Sequence, residues 1–284
     1  MGTEMAGDVA LLANGTAAPS SSSGERKSPL LGVDQVTVRF GGVVANNQVT
    51  MSCQPGVITA LIGPNGAGKS TLFNVITGAQ RPSGGRIFFE GEDITHLPAH
   101  ARARRGIART FQNLSVVGSV SVLENVEMGA ARFRRYGSVA GFLALPSSRR
   151  QDRFLREIAW RALETTGLAA VGHRRAGDLA YGDLRRLEVA RALALGPRIL
   201  LLDEPTAGMD QAETEELGTA LLALRDRWGL TILVVEHDLT LVRQVAQDAW
   251  VLDFGTVLAG GPLEQVMRDQ KVITAYLGSS AGEA

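Results

Sequence analysis

A single cysteine, Cys53, excludes an internal disulfide framework and fits a reducing compartment. Charge of one sign is missing as well. Lys and Arg total 29, as do Asp and Glu, so the positive surplus that nonspecific nucleic-acid binding rests on is absent. No uninterrupted apolar run reaches the ~18–20 residues needed to span a bilayer, so a membrane is expected to be reached only through a partner. The start has neither the basic residues nor the apolar core of a secretory signal: Glu4 and Asp8 stand there, and the core at Leu11–Leu12 is very short. No internal repeat is visible, so each motif occurs once.

Residues 1–28 are expected to form a disordered tail. From Gly15 to Gly24 the chain is mostly Ser, Ala, Gly and Pro, with too little apolar surface to offset the entropy of ordering. Residues 279–284 are expected to form a second, shorter tail. Between them the pattern is mixed α and β. Val33–Phe40, Val49–Cys53 and Arg86–Phe89 carry the β-branched and aromatic content of strands. Val57–Ile62, Ile199–Leu202 and Thr231–Val235 are short apolar runs of the kind that form buried parallel strands, and the last two end at acidic residues. Leu184, Leu187, Ala190 and Ala194 put an apolar stripe on one helix face. Parallel strands alternating with helices predict an α/β domain of the doubly wound kind. From about 114 to 180 strand runs are few and arginines many, which predicts an inserted helical subdomain.

Gly63-Pro64-Asn65-Gly66-Ala67-Gly68-Lys69-Ser70 fits G-x-x-x-x-G-K-[ST] at every fixed position. Glycines let successive N–H groups turn inward and cradle phosphate oxygens, where a Cβ would block the approach. Lys69 would place a point charge on the β- and γ-phosphates of ATP, and the Ser70 hydroxyl would ligate Mg2+. A helix starting near Lys69 and running through Thr71 adds its positive dipole end. Asp203, at the end of its strand, is placed to hold Mg2+ beside Ser70, and Glu204 is the candidate general base for the attacking water. His237 follows another apolar strand in the same layout, where its imidazole would hydrogen-bond the γ-phosphate region.

Four further segments carry a family resemblance. Arg109-Thr110-Phe111-Gln112 resembles the Q-loop of the ATP-binding cassette (ABC) ATPases, and Leu179-Ala180-Tyr181-Gly182-Asp183 resembles their signature motif, usually LSGGQ. Ala207-Gly208-Met209-Asp210 resembles the D-loop and Glu236-His237-Asp238 the H-loop, in family order and spacing. The resemblance implies an ABC ATPase domain over 29–278: a P-loop core with an antiparallel β subdomain and the inserted helical one. Phe40 falls where the family carries an aromatic that stacks on adenine. Gln112 would contact Mg2+ and the attacking water. Ala180, Tyr181, Gly182 and Asp183 would meet the nucleotide held by a second ATPase subunit, identical or paralogous. The permease would be a separate set of transmembrane subunits, with this chain peripheral on the cytoplasmic face of the membrane.

Phe40-Gly41-Gly42-Val43-Val44-Ala45, Phe73-Asn74-Val75-Ile76-Thr77-Gly78, Arg109-Thr110-Phe111-Gln112-Asn113 and Ala275-Tyr276-Leu277-Gly278 resemble the larger ATPase of the branched-chain amino-acid importers. Such a system implies an extracytoplasmic substrate-binding protein too. Other cargoes within the class are lipopolysaccharide for export and urea or amides for uptake. ABC ATPases that act on nucleic acid or ribosomes usually carry two cassettes, coiled coils or basic surfaces, and the chain shows none of these. A GTP-binding switch is disfavoured because no Asn-Lys-x-Asp motif occurs. Two departures stand out: Ala180 has no hydroxyl for the γ-phosphate, and Asp183 puts a charge where Gln is usual. Restoring Ser at 180 and Gln at 183 is expected to raise ATPase activity in the assembled complex, and an unchanged rate would show that these departures do not slow the site.

Overall fold

The computed structural model describes residues 28–110, 116–130, 146–237 and 239–280. The chain forms two compact units. One comprises the described residues up to Arg109, Arg198–Ala207 and the described residues from Gly229 onward; the other comprises the described residues of Thr110–Pro197 and Gly208–Trp228.

The first unit holds both sheets. Strands β1 (Leu31–Phe40), β2 (Val43–Cys53), β4 (Gly84–Phe89) and β5 (Glu92–Asp93) form an antiparallel sheet in the order β2-β1-β4-β5. The second sheet has the order β10-β9-β3-β8-β7-β6, from β3 (Ile58–Ile62), β6 (Ile107–Arg109), β7 (Ile199–Asp203), β8 (Thr231–Val235), β9 (Asp248–Asp253) and β10 (Thr256–Pro262). Its pairings are parallel except β9 with β10. Strands β3, β7 and β8 are buried at every position, which is why each reads as a continuous apolar run.

Helix α1 (Lys69–Thr77) buries Leu72, Phe73, Val75 and Ile76 in one apolar cluster with residues of both sheets, Val33 and Phe89 from one and Leu61, Leu201 and Val235 from the other. Short helices α2 (Ala99–Arg104), α7 (Leu239–Val245) and α8 (Leu263–Val266) and the longer α9 (Gln270–Ser280) complete the unit. The helical backbone of α9 thus runs two residues into the segment expected to be the C-terminal tail.

The second unit is built on α3 (Val122–Ala130), α4 (Pro146–Thr165), α5 (Tyr181–Leu193) and α6 (Gln211–Trp228). Ser121 and Glu124 cap α3 reciprocally: the Ser121 N–H donates to Glu124 Oε2 at 2.7 Å and the Glu124 N–H to Ser121 Oγ at 3.1 Å. Helix α5 is buried on more than its expected stripe. Of that stripe Leu187, Ala190 and Ala194 are buried and Leu184 is half-buried, and Arg185 and Glu188, which pair at 3.1 Å, are buried too. The packing of α5 and α6 on α4 extends this unit beyond position 180.

Arg102 is the largest fully buried side chain among the described residues. Its guanidinium donates to four carbonyls: Leu97 at 2.9 Å, Thr95 at 2.8 Å, and Val75 and Ile76 at 2.6 and 2.8 Å, the last two at the C-terminal end of α1. Helix ends leave such carbonyls without intrahelical donors, so one cation here caps α1 from a different element. Replacing Arg102 with Met strands buried acceptors and is expected to destabilise the chain by roughly 3 kcal/mol. A lowered urea midpoint at unchanged slope would show it, and an unchanged midpoint would remove Arg102 as the cap.

Candidate functional site

The register of the second sheet brings three chain reversals to one edge. Leu61 on β3 lies opposite Val235 on β8, and Val235 lies opposite Asp203 on β7. Beyond that line come the loop from Gly63, the Glu236–His237 pair and Glu204. Ligands of open α/β sheets bind at this carboxyl edge.

The loop needs its glycines. Gly63 sits at φ +148°, and a Cβ there would come within 2.1 Å of the Leu252 carbonyl oxygen. Gly68 caps α1 in the left-handed conformation at φ +94°, and a Cβ would come within 2.4 Å of the Ala45 oxygen. Asn46 is fully buried and donates to the Gly68 carbonyl at 3.2 Å, tying β2 to the loop.

Lys69 Nζ donates to the carbonyls of Gly63 at 2.6 Å and Pro64 at 2.9 Å. Burial pulls its ammonium below the usual lysine value, against the opposing pull of Glu204, Glu236 and Asp203. A cavity of about 550 Å3 opens over residues 65–71, and Val43, Val44, Ala45, Glu204, Phe254 and Gly255 also line it. Lys69, Ser70 and Glu204 are polar parts of its wall, while Val43, Val44 and Phe254 are apolar ones.

Asp203 is 2% exposed, and its Oδ2 accepts from Arg109 Nη2 at 2.9 Å. Burial pushes its carboxyl up, and Arg109 opposes that shift. Oδ1 is buried and has no hydrogen-bond partner. An orphaned carboxylate oxygen and the exposed Ser70 hydroxyl are hard donors of the kind Mg2+ takes, so the residues fit that ion.

Glu204 has φ +46°, uncommon for a residue other than glycine. Its N–H donates to the Val235 carbonyl at 2.9 Å, and its Oε1 lies 3.9 Å from His237 Nδ1. His237 itself is exposed. Glu236, by contrast, is fully buried. Its Oε1 accepts from the Thr206 hydroxyl at 2.7 Å and N–H at 3.1 Å, and its Oε2 from the His237 N–H at 3.3 Å. Burial pushes this carboxyl up, and the bonds from Thr206 hold it down.

The strand edge thus gathers Gly63–Ser70, Asp203, Glu204 and His237. Phe40 closes the β1–β2 hairpin opposite Val43 and is half-exposed; it is not among the residues lining the cavity, although Val43 and Val44 are. Gln112 lies outside the described residues, as do Phe111, Asn113, Asp238, the expected tail up to Lys27, and Arg132, Arg134 and Arg135.

The signature residues belong to the helical unit. Ala180 is the N-cap of α5, Tyr181 accepts through its hydroxyl from Arg185 at 2.8 Å, and Gly182 is buried. Asp183 pairs with Arg186, which also pairs with Glu216 at 2.7 Å, so its charge is countered within the unit. Sequence reading placed Arg109 in the Q-loop segment and Glu236 in the H-loop segment without giving either side chain a role of its own, and passed over Thr206 and Phe254. The available signal for Glu236 was an acidic residue directly after the four apolar ones Ile232–Val235.

A glycine loop at a helix start, a buried lysine across it and two carboxylates at the end of β7, one strand removed from β3 in the sheet, define a phosphate-loop nucleotide hydrolase. Comparison with known proteins sharpens the class. The family model described as ABC transporter matches residues 46–207. The high-affinity branched-chain amino acid transport ATP-binding protein BraF of Pseudomonas aeruginosa is 41% identical over 252 residues, 89% of this chain and 99% of that one. The corresponding protein LivG of Escherichia coli is 42% identical over the same length and shares. A crystal structure of the ADP conformation of an ATP-binding cassette of an ABC transporter superposes with a TM-score of 0.77 at 32% identity, covering 89% of this chain and 100% of that one. The chain belongs to the ABC transporter family, as an ATP-hydrolysing nucleotide-binding cassette.

Changing Lys69 to Ala removes the buried cation from the loop and is expected to abolish nucleotide binding. Calorimetric titration with ATP checks this, and wild-type affinity in the variant would deny Lys69 its contact with phosphate.

Proposed function

We propose that this chain is the ATPase subunit that powers an importer of branched-chain or related amino acids. It would work on the cytoplasmic face of the membrane with separate permease subunits, a second cassette and an extracytoplasmic binding protein. No helix among the described residues is long and apolar enough to cross a membrane, so the reading requires those permease chains. The observation that carries hydrolysis is the alignment of Glu204 and His237 with the phosphate loop across β7, β8 and β3. Likeness to BraF and LivG over nearly their whole lengths supports the amino-acid cargo.

In this reading the loop N–H groups and the dipole of α1 receive the phosphates of ATP. Lys69 turns from the Gly63 and Pro64 carbonyls to the β- and γ-phosphates, exchanging two neutral acceptors for charged ones. Mg2+ would be held by Asp203 and Ser70, with Gln112 contributing as the family resemblance implies, and supplies charge neutralisation at the phosphates. Glu204 takes a proton from the attacking water as it adds to the γ-phosphorus, and ADP leaves. His237, beside Glu204, donates a hydrogen bond to the γ-phosphate. Val43, Val44 and Phe254 cover the base and ribose, with Phe40 stacking from the hairpin end. The signature at Ala180–Asp183 would face the nucleotide of a second subunit, since each chain has one loop and one signature.

Glu204→Gln tests the reading in the complex reconstituted into vesicles with its permease. The variant is expected to bind ATP as the wild type does and to lose about 100-fold or more in turnover, the scale of a lost general base. ATP-dependent uptake of labelled leucine should disappear with it. Turnover within a few-fold of wild type would place the base elsewhere, and a wild-type complex that takes up no leucine, isoleucine or valine would remove the cargo assignment.

A further inference from the structure

Arg109 ends β6 and is the last residue of the sheet unit before the chain passes into the helical one. Its guanidinium engages four groups at once, the weakest being Thr77 Oγ1, which accepts from Nη1 at 3.5 Å. Nη2 donates to Asp203 Oδ2 at 2.9 Å, Nη1 donates to Asn74 Oδ1 at 2.7 Å, and the group lies 4.8 Å from the centre of the Phe73 ring. Strand pairing supports the reach: β6 runs parallel to β7, with Arg109 opposite Leu201, two residues before Asp203. Phe73 and Asn74 both belong to α1, the helix that begins at Lys69 and Ser70. One planar cation therefore joins the helix carrying Ser70 to the strand carrying Asp203.

The consequence falls on the carboxylate. A buried Asp held by one hydrogen bond to a flexible donor would keep several orientations; a guanidinium fixed on its other side by Asn74 and Phe73 removes that freedom. With Oδ2 taken, the buried and unpartnered Oδ1 is the oxygen left for a cation. We propose that Arg109 is a positioning residue for the metal ligand Asp203: it holds Oδ2, so that Asp203 presents Oδ1 alone to the divalent cation that accompanies the nucleotide. Arg109 touches neither phosphate nor metal and acts through Asp203. The inference rests on the nucleotide-hydrolase reading above. A simpler alternative is that Arg109 only neutralises a buried charge, in which case its loss would lower stability without singling out the metal.

The test uses the full chain with a non-hydrolysable ATP analogue, with Mn2+ as a paramagnetic stand-in for Mg2+. Free and bound Mn2+ are read by electron paramagnetic resonance. Analogue binding in EDTA is measured separately. Arg109→Met is expected to weaken Mn2+ binding by about tenfold to a hundredfold, the usual effect of losing a partner that orients a metal ligand. Metal-free analogue binding should stay within about twofold of wild type, a difference below 0.5 kcal/mol. Arg109→Lys keeps the charge but loses the fork and should remain about fivefold or more weak. Asn74→Ala releases the other arm and should weaken Mn2+ by about threefold, less than the loss of Arg109 itself.

Wild-type Mn2+ affinity in Arg109→Met would overturn the proposal, as would equal losses of metal-bound and metal-free analogue. If Arg109→Met does not fold, Arg109→Lys and Asn74→Ala decide: wild-type metal affinity in both overturns it. A wild-type chain that binds no Mn2+ with the analogue would count against the hydrolase reading and not against Arg109 alone.

Discussion

Strands β3, β8 and β7 run parallel with Leu61 opposite Val235 and Val235 opposite Asp203, and the rest of the site depends on that register. A buried sheet of this kind allows little slippage, because every position of the three strands is packed away from water. The chain therefore leaves each strand at the same level and on the same edge. Each strand gives way to a polar segment: a glycine loop, a carboxylate pair, and a carboxylate joined to an imidazole. Local sequence supplies these groups, but only the long-range pairing makes them neighbours.

Four charged side chains sit in or near that edge with little access to water: Lys69, Arg109, Asp203 and Glu236. Burial opposes the ionised form of Lys69, Asp203 and Glu236. Each has found a counterweight in another element: the loop carbonyls for Lys69, Arg109 for Asp203, Thr206 for Glu236. Removing one partner leaves the other as an uncompensated buried charge, which is far costlier than losing an exposed pair. The two carboxylates are thus held in place before nucleotide arrives, while Lys69 has to exchange its loop carbonyls for phosphate oxygens; groups fixed in advance act most strongly on a reacting phosphate. The positive φ of Glu204 fits the same picture, since backbone strain persists only where surroundings hold it, here by the N–H bond to Val235.

Much of this was legible from the residues. The loop at Gly63–Ser70 has a fixed spacing with a physical reason at each position, and the apolar runs before it, before Asp203 and before Glu236 read as strands because both their faces are buried. The edges of the sheets were harder to see. Strand β6 is three residues long, and β9 mixes buried positions with half-buried Asp248, Trp250 and Asp253, so neither offers a long apolar run to read. Partnerships across long sequence distances were hidden for the same reason. Nothing local to Arg109 says that it will meet Asp203, 94 positions away, and nothing local to Glu236 says that Thr206 will satisfy it. Phe40 illustrates the limit in the other direction: its position in the hairpin was legible, but the cavity wall beside it is made by Val43, Val44 and Phe254.

A crystal structure of the chain with Mg2+ and a non-hydrolysable ATP analogue tests the central claim most directly. The expected result is the triphosphate on the N–H groups of Gly63–Ser70, Lys69 Nζ moved from the loop carbonyls to the β- and γ-oxygens, and Glu204 facing the γ-phosphorus. Phosphates bound away from the loop, or Glu204 turned from the γ-phosphate with Lys69 still on Gly63 and Pro64, would contradict it.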